Sequence, residues 1–180
     1  MGSGRRYRVD SPAVLDLFFT ILERPRKISE LVKLKQKDRT TLSQQLNVLV
    51  DKGLLKREVD KDNRFIFKID EDGLKRFLAE KVVDVLVMPE ILKKKDLDFL
   101  DSVFNKKIIP YIKAFGKTLK QIDMPKREIN FHRIALGFLV SLYIHFNRNE
   151  DVKKKHPELY KLLESVLIAY SFPEAFELKI

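Results

Sequence analysis

The sequence contains no cysteine among its 180 residues. Disulfide bonds, thiolate metal sites and cysteine nucleophiles are therefore excluded, which is compatible with a reducing interior. Glycine is also scarce, and none of its six residues belongs to a phosphate-cradling, glycine-rich loop. The chain holds no Gly-x-Ser-x-Gly motif, no Ser/His/Asp arrangement and no His/carboxylate metal motif. These absences predict a protein that is not an enzyme and that uses no cofactor or metal.

Long apolar runs are missing as well. The longest, Ile134 to Phe146, is interrupted by Ser141 and His145, and it is shorter than the roughly 20 residues that a membrane span needs. The N-terminal stretch Met1–Asp10 is polar and basic, unlike a signal peptide. We therefore expect no membrane partner and a cytoplasmic protein, associated with the nucleoid if its partner is DNA.

Charge is present in excess of one sign. Lysine and arginine number 36 against 26 acidic residues, which gives a net charge of +10. The excess favours a polyanion, nucleic acid before an anionic membrane, although a solvated lysine-rich surface is the alternative. Residues 1–80 and 81–180 each carry 18 basic and 13 acidic side chains, so the totals do not locate a site. The sharpest cluster in the first half lies between Arg24 and Arg39, with seven cations against Glu30 and Asp38.

Apolar spacing predicts three helices in the first third of the chain. The first begins at Ser11-Pro12 and ends at Pro25, and the second runs from Ser29 to about Leu34. The third begins at Asp38 or Arg39 and ends at Gly53, which tolerates a left-handed conformation. The predicted buried residues are Val14, Leu17, Phe18, Ile21 and Leu22, then Leu31 and Leu34, then Leu42, Leu46, Leu49 and Val50.

After Gly53 the apolar period becomes alternating. Lys56–Asp60 and Arg64–Ile69 are predicted to pair as an antiparallel hairpin through the turn Asp60–Asn63. Its apolar face, directed at the helices, would consist of Phe65, Phe67 and Ile69. A further helix is predicted from Asp72-Gly73 to the residues before Pro89.

The third helix has the composition of a helix that reads DNA. With its leucines on the buried side, Thr40, Gln44, Asn47 and Asp51 lie on the front, and Thr41 and Ser43 lie on the flanks. Gln and Asn can bond adenine through two hydrogen bonds, and hydroxyl groups can bond bases or phosphates. Arg39, at the start of the helix, could reach a guanine or a phosphate.

The run from Thr40 to Leu55, TTLSQQLNVLVDKGLL, resembles the recognition helix and following strand of ArsR- and MarR-type repressors. Asp62-Asn63-Arg64 and the run from Ile69 to Gly73 resemble the wing and the "Leu-Thr-x-x-Gly" helix start of MarR- and PadR-type regulators. Ile69 and Asp70 replace the usual Leu and Thr, and the spacing after the wing arginine is slightly shorter. The resemblance covers residues 11–80 and implies a winged helix-turn-helix.

The resemblance further implies a homodimer that contacts double-stranded DNA through the recognition helix and the wing. It implies helix contacts from Arg39, Thr40, Thr41, Ser43 and Gln44, and wing contacts from Lys61 and Arg64. From the residue pattern we add Asn47 on the helix, Asn63 in the wing, and Lys27, Lys35 and Lys37 as contacts to the DNA backbone.

Beyond Pro89 the spacing predicts only helices. One opens at Asp96 with a kink at Pro110, another covers Lys126–Phe146, and the last begins at His156-Pro157, after a charged loop Asn147–Lys155. The fold class is mainly α with a small β-hairpin wing. The predicted division is a basic arm (1–10), a winged helix-turn-helix (11–88) and a helical dimerisation domain (89–180).

The helical part offers two further candidate sites. Phe131, Phe138, Tyr143 and Phe146 could line a pocket for a small apolar effector, or they could simply be core. His132, His145 and His156 could suggest a metal site, but the first two lie roughly 220° apart around one helix. We therefore expect structural histidines.

Three functions are open at this point. The leading hypothesis is a dimeric transcriptional regulator that recognises a palindromic operator. The first alternative is a non-specific architectural protein that coats duplex DNA. The second is a winged domain that binds other proteins within a nucleic-acid-processing assembly, since a fold does not fix its function.

Overall fold

The structure is a computed structural model that describes residues 7–86, 89–122 and 129–171. Arg5 and Arg6 of the predicted arm, and Lys126, where a helix is predicted to begin, lie outside these ranges. The chain is mainly helical with a small antiparallel sheet, as predicted. It divides into two compact units. The first joins the residues up to Phe77 with Ile112–Phe131, and the second joins Leu78–Tyr111 with the residues from His132 onward.

Three helices open the first unit, namely α1 (Pro12–Glu23), α2 (Ile28–Lys35) and α3 (Arg39–Asp51). The Asp38 side chain accepts a hydrogen bond from the Thr41 N–H at 2.8 Å and so caps α3. At the other end Gly53 adopts φ +70°, which lets the Gly53 and Leu54 N–H groups bond the last carbonyls of the helix. The predicted start and stop of α3 are therefore confirmed.

The core of the first unit follows the predicted apolar pattern closely. The five predicted residues of α1 are buried, as are Leu31 and the three leucines of α3, whereas Val50 is half-buried. The prediction for Leu34 is wrong, because its side chain is 52% exposed. Leu34, in the last turn of α2, lines an open cleft together with residues of α1. Ser11 does precede α1, but its hydroxyl makes no capping bond.

The sheet has three strands, β1 (Arg26–Lys27), β2 (Leu55–Val59) and β3 (Phe65–Ile69), in the antiparallel order β1-β3-β2. The hairpin of β2 and β3 is the predicted one. β1 was not predicted, because two residues are too few to show a period. Phe67 is buried as expected, but Phe65 is 63% exposed. Phe65 pairs with Val59 beside the turn, at the end of the hairpin where the helices no longer cover it.

Helix α4 (Glu71–Leu86) begins where the sequence predicted. The Asp70 side chain accepts a hydrogen bond from the Gly73 N–H at 3.1 Å, so aspartate does serve as the cap in place of threonine. A Cβ atom on Gly73 would overlap the carbonyl oxygen of Gly53 and lie 2.9 Å from its carbon. Gly73 is thus required for the close approach of this helix start to the end of α3.

The described residues beyond α4 form a 3₁₀ turn (Pro89–Ile91) and four helices, α5 (Lys94–Gln121), α6 (Phe131–Asn147), α7 (Glu150–Lys155) and α8 (Pro157–Ser171). Pro110 lies inside α5. The predicted loop at 147–155 is wrong, since α7 occupies most of it. The Asn149 side chain caps α7, and acidic residues in its first turn and lysines in its last turn suit the helix dipole.

The rings of the predicted effector pocket are packed against other rings. Phe138 meets Phe104 edge to face at 5.6 Å between ring centres, and Phe146 meets Phe99 in the same way at 5.7 Å. Such packing supports the core interpretation of these residues. Within the described ranges no helix is long and apolar enough to cross a membrane. The same ranges hold no group of three side chains suited to a metal ion.

Candidate nucleic-acid interface

Helix α3 presents one apolar and one polar side. Leu42, Leu46 and Leu49 are fully buried. On the opposite side Arg39, Thr40 and Gln44 are exposed, and Thr41, Ser43 and Asn47 are partly exposed. The predicted front of the helix is therefore at the surface, and its buried leucines fix the side that faces outward.

A cleft of about 640 Å³ lies between α3, β1 and the β2–β3 hairpin. Four cations line it, with uncharged polar groups and two aromatic rings between them, and none of the described carboxylates lines it. Its residues are Lys27, Ile28, Ser29, Arg39, Ser43, Asn47, Arg57, Asn63, Arg64, Phe65 and Phe67. We call this feature the cationic cleft. Its charge and shape suit a polyanion that runs along α3 and the hairpin.

Arg57 belongs to the cationic cleft but was not predicted. Its guanidinium donates a hydrogen bond to Oδ1 of Asn47 and lies 5.7 Å from the centre of the Phe67 ring. The alternation of β2 contains the signal that would have found it, because Arg57 shares a strand face with Leu55 and Val59. Leu55, the first residue on that face, is buried against the helices. Arg57, two positions later on the same face, therefore lies beside α3.

Lys27 braces the hairpin turn. Its Nζ is paired with Asp60 and lies 2.9 Å from Oδ2 of Asp62. Asp60 also accepts hydrogen bonds from the N–H groups of Asp62 and Arg64, at 2.9 and 3.0 Å. The bond between Lys27 and Asp60 raises the pKa of Lys27. The same bond, together with the bond from the Arg64 N–H, lowers the pKa of Asp60. Lys27 thus holds the turn in place, a role that the sequence did not suggest.

Six of the twelve predicted DNA-contacting residues line the cationic cleft, namely Lys27, Arg39, Ser43, Asn47, Asn63 and Arg64. Lys61 is exposed at the hairpin turn, where Asn63 adopts φ +56°. Lys35 is not among the cleft residues, and its Nζ lies 2.6 Å from Asp16 of α1. In the described part of the chain, no ion pair engages Arg39, Lys61 or Arg64, which leaves them available to a partner.

Comparison with known proteins identifies the first part of this unit. Residues 11–57 match the model of the family described as "Bacterial regulatory protein, arsR family". The matched segment runs from the start of α1 into β2, so it includes all of α3 but not the hairpin turn. Searches of curated proteins and of solved structures find no match. Residues 11–57 are thus an ArsR-family helix-turn-helix domain, which supports a DNA-binding transcriptional regulator.

Proposed function

We propose that the protein is a regulator that recognises specific sequences in double-stranded DNA, as a homodimer. Helix α3 enters the major groove, and the hairpin, which is the wing, lies on the adjacent backbone or minor groove. One observation carries this proposal, namely the exposed polar front of α3 beside a cleft lined by cations and by no carboxylate. Such a regulator would act in the cytoplasm, at the nucleoid.

The residues on the front of α3 would contact different groups of the DNA. Gln44 is exposed and can bond an adenine through both its amide atoms. Asn47 already accepts a bond from Arg57, so its N–H₂ group is what it offers to a base. Arg39 reaches a guanine or a phosphate, while Thr40, Thr41 and Ser43 supply hydroxyl groups to bases or phosphates. Gln44 is therefore the residue on which base preference depends most.

The wing supplies contacts that position the protein. Lys61 and Arg64 bind phosphates, and Asn63 lies between them at the turn. Lys37 adds a backbone contact before α3. Lys27 and Lys35 act indirectly in this scheme, because each is held by a carboxylate of the same chain. These charge contacts raise the affinity for all DNA sequences and make it sensitive to salt.

Dimerisation through residues 89–180 completes the proposal, since two copies related by twofold symmetry read two half-sites. Helices α5, α6 and α8 each expose an aliphatic side chain, Leu97, Ile144 and Ile168, at 43%, 43% and 47%. Analytical ultracentrifugation should show a dimer in the absence of DNA. A strictly monomeric chain that binds a single half-site would contradict this part alone.

The experiment that tests the proposal begins with selection of preferred duplexes from a random pool. On the selected site, Gln44→Ala should cost about 1–3 kcal/mol and relax the preference at one position. Asn105→Ala, which truncates an exposed amide on α5, is the matched control and should bind normally. Unchanged affinity of Gln44→Ala for both selected and random DNA would refute the assignment of α3.

The same selection separates the other two functions. A pool without any enriched motif, together with uniform protection of unrelated duplexes, would indicate an architectural protein. Retention on heparin without binding to duplex DNA would indicate a domain that binds proteins.

A further inference from the structure

The end of the wing carries two exposed apolar side chains that DNA reading by α3 does not use. Val59 and Phe65 face each other as the last pair before the hairpin turn. At 56% and 63% exposure, they are the most exposed large apolar side chains of the described residues. An aromatic ring so placed, on a strand whose next inward residue Phe67 is buried, points to a contact with a partner.

The side chains around this pair define the chemistry of the partner. Phe65 lines the cationic cleft together with Arg57 and Arg64, and Lys61 is exposed in the same turn. The acidic residues of the turn, Asp60 and Asp62, are both paired with Lys27. The partner must therefore offer negative charges on either side of an apolar surface.

The minor groove of a DNA duplex has this arrangement, because two rows of phosphates flank the sugars and the base edges. Proteins that bind this groove use apolar side chains, Phe among them, as wedges at base steps. Pyrimidine–purine steps yield most easily to such contacts. A ring in this position would thus favour sites that contain a deformable step beneath the wing.

We propose that the pair of Val59 and Phe65 is a minor-groove contact of the wing, with the Phe65 ring against sugars and base edges. This inference rests on the proposed DNA-binding function and adds to it a source of sequence preference outside the bases that α3 reaches. Its physical signature differs from that of the neighbouring cations. An apolar contact releases no counterions, so its loss weakens binding without changing the salt dependence, whereas loss of a phosphate contact changes both.

The test measures the affinity of the full chain for a selected duplex at several salt concentrations. Phe65→Ala should weaken binding about tenfold, as expected from the additional ring area that binding buries, with an unchanged salt slope. Phe65→Leu should recover most of this loss. Lys61→Ala should reduce the salt slope by about 1. Val83→Ala, which truncates a similarly exposed side chain in α4, is the control and should bind normally.

A second arm places the contact in the minor groove. Replacing G·C by inosine·cytosine pairs beneath the wing removes an amino group from the minor groove and leaves the major groove unchanged. The affinity of the unmodified protein should change with this replacement, and that of Phe65→Ala should not. An equal response of both proteins would overturn the minor-groove assignment.

The remaining outcomes distinguish a failure of this inference from a failure of the proposed DNA-binding function. If Phe65→Ala binds as tightly as the unmodified chain while Gln44→Ala and Lys61→Ala are weakened, the inference is wrong and the proposed function stands. If the unmodified chain binds no duplex, the proposed function itself fails. If Phe65→Ala loses only binding to phosphatidylglycerol vesicles, the apolar pair contacts a membrane surface and the inference is overturned. Thermal unfolding of each variant verifies its fold.

Discussion

Residues 1–80 and residues 81–180 carry equal numbers of charges, 18 basic and 13 acidic, yet the structure uses them differently. In the first set Asp38 and Asp70 cap helices and Asp60 organises the wing turn. Acidic groups tied to their own backbone in this way do not line the cationic cleft, and of its four cations only Lys27 forms an ion pair within the described residues. In the second set Asp96 is fully buried and bonds Nδ1 of His156 at 2.8 Å. The two sets thus differ in the position of their acidic residues rather than in their net charge.

Each unit also contains a glycine whose replacement by alanine tests how closely its neighbours are packed. The first of these replacements has the largest expected effect on the free energy of unfolding. Gly73→Ala would place a Cβ against the backbone of Gly53, which cannot move without displacing the end of α3. We expect a loss of about 3 kcal/mol in the free energy of unfolding, the upper part of the range for overpacked sites.

Gly137→Ala is the counterpart in the second unit. Its Cβ would overlap the hydroxyl of Tyr111 and lie 3.6 Å from Cζ of the same side chain, and alanine gains about 1 kcal/mol over glycine inside a helix. The two effects oppose each other, so we expect the free energy of unfolding to stay within about 1 kcal/mol of the unmodified protein. Urea denaturation measures both variants. Similar losses for the two would show that the backbone contact of Gly73 is not the cause.

Removal of charge from the two regions tests the comparison directly. The double variant Arg39→Ala/Arg64→Ala should bind a selected duplex at least about tenfold more weakly, with a salt slope lower by about 2. Lys106→Ala/Lys107→Ala removes two exposed charges from α5 and leaves the same net charge. If both variants lose affinity equally, total charge rather than the cationic cleft determines binding.

The first unit could be predicted in detail because its signals are local. Ser11-Pro12, Asp38 and Gly53 mark helix ends by their own backbone chemistry, and the leucines of α3 repeat at the helical period. The errors arise where tertiary contacts decide. Leu34 and Phe65 fit the apolar pattern, but the helices do not extend far enough to cover them. β1 exists only because two residues pair with β3, and no period can reveal so short a strand.

The cationic cleft was predictable in part for the same reason. Arg39, Ser43 and Asn47 follow from the wheel of α3, and Asn63 and Arg64 from the turn of the hairpin. Lys27 was predicted as a contact to DNA, but its pairing with Asp60 joins residues that are 33 positions apart (27 and 60) and depends on how β1 meets the wing. The alternation of β2 did contain the position of Arg57. In the second unit, α7 was missed because its six residues carry capping and charge signals but little apolar period.

A smaller effect is expected when a structural acid is removed from the first unit. Asp38→Ala adds one positive charge beside α3 but deletes the cap that bonds the Thr41 N–H. Hydrogen bonding from the Thr41 side chain, and then from the Thr41 N–H, lowers the pKa of Asp38, so the ionised group is the one that stabilises the helix. We expect the midpoint of thermal unfolding to fall by a few degrees and DNA affinity not to rise. Asp51→Ala, the same change at the exposed far end of α3, is the control. Tighter DNA binding with unchanged stability would show that Asp38 acts only as a charge.

The smallest expected effect is the pH dependence of the wing turn. It tests whether pKa shifts have different causes in the two units. In the wing, the bond to Lys27 and the Arg64 N–H lower the pKa of Asp60 below its ordinary value of 3.8. This stabilisation is present above pH 3.8 and is lost as the pH falls through the lowered pKa. The pKa of Lys27 is raised above 10.5. The stabilisation that Lys27 contributes to the wing turn therefore persists up to pH 10.5 and is lost only above it. In the second unit, burial alone raises the pKa of Tyr111 to about 12.

The amide resonance of Arg64 should therefore stay constant from about pH 5 to 10 and move below about pH 4. Asp60→Asn should abolish the acid step and leave the ultraviolet titration of Tyr111 near pH 12 unchanged. An Arg64 resonance that titrates near neutral pH would mean that another group holds the wing turn.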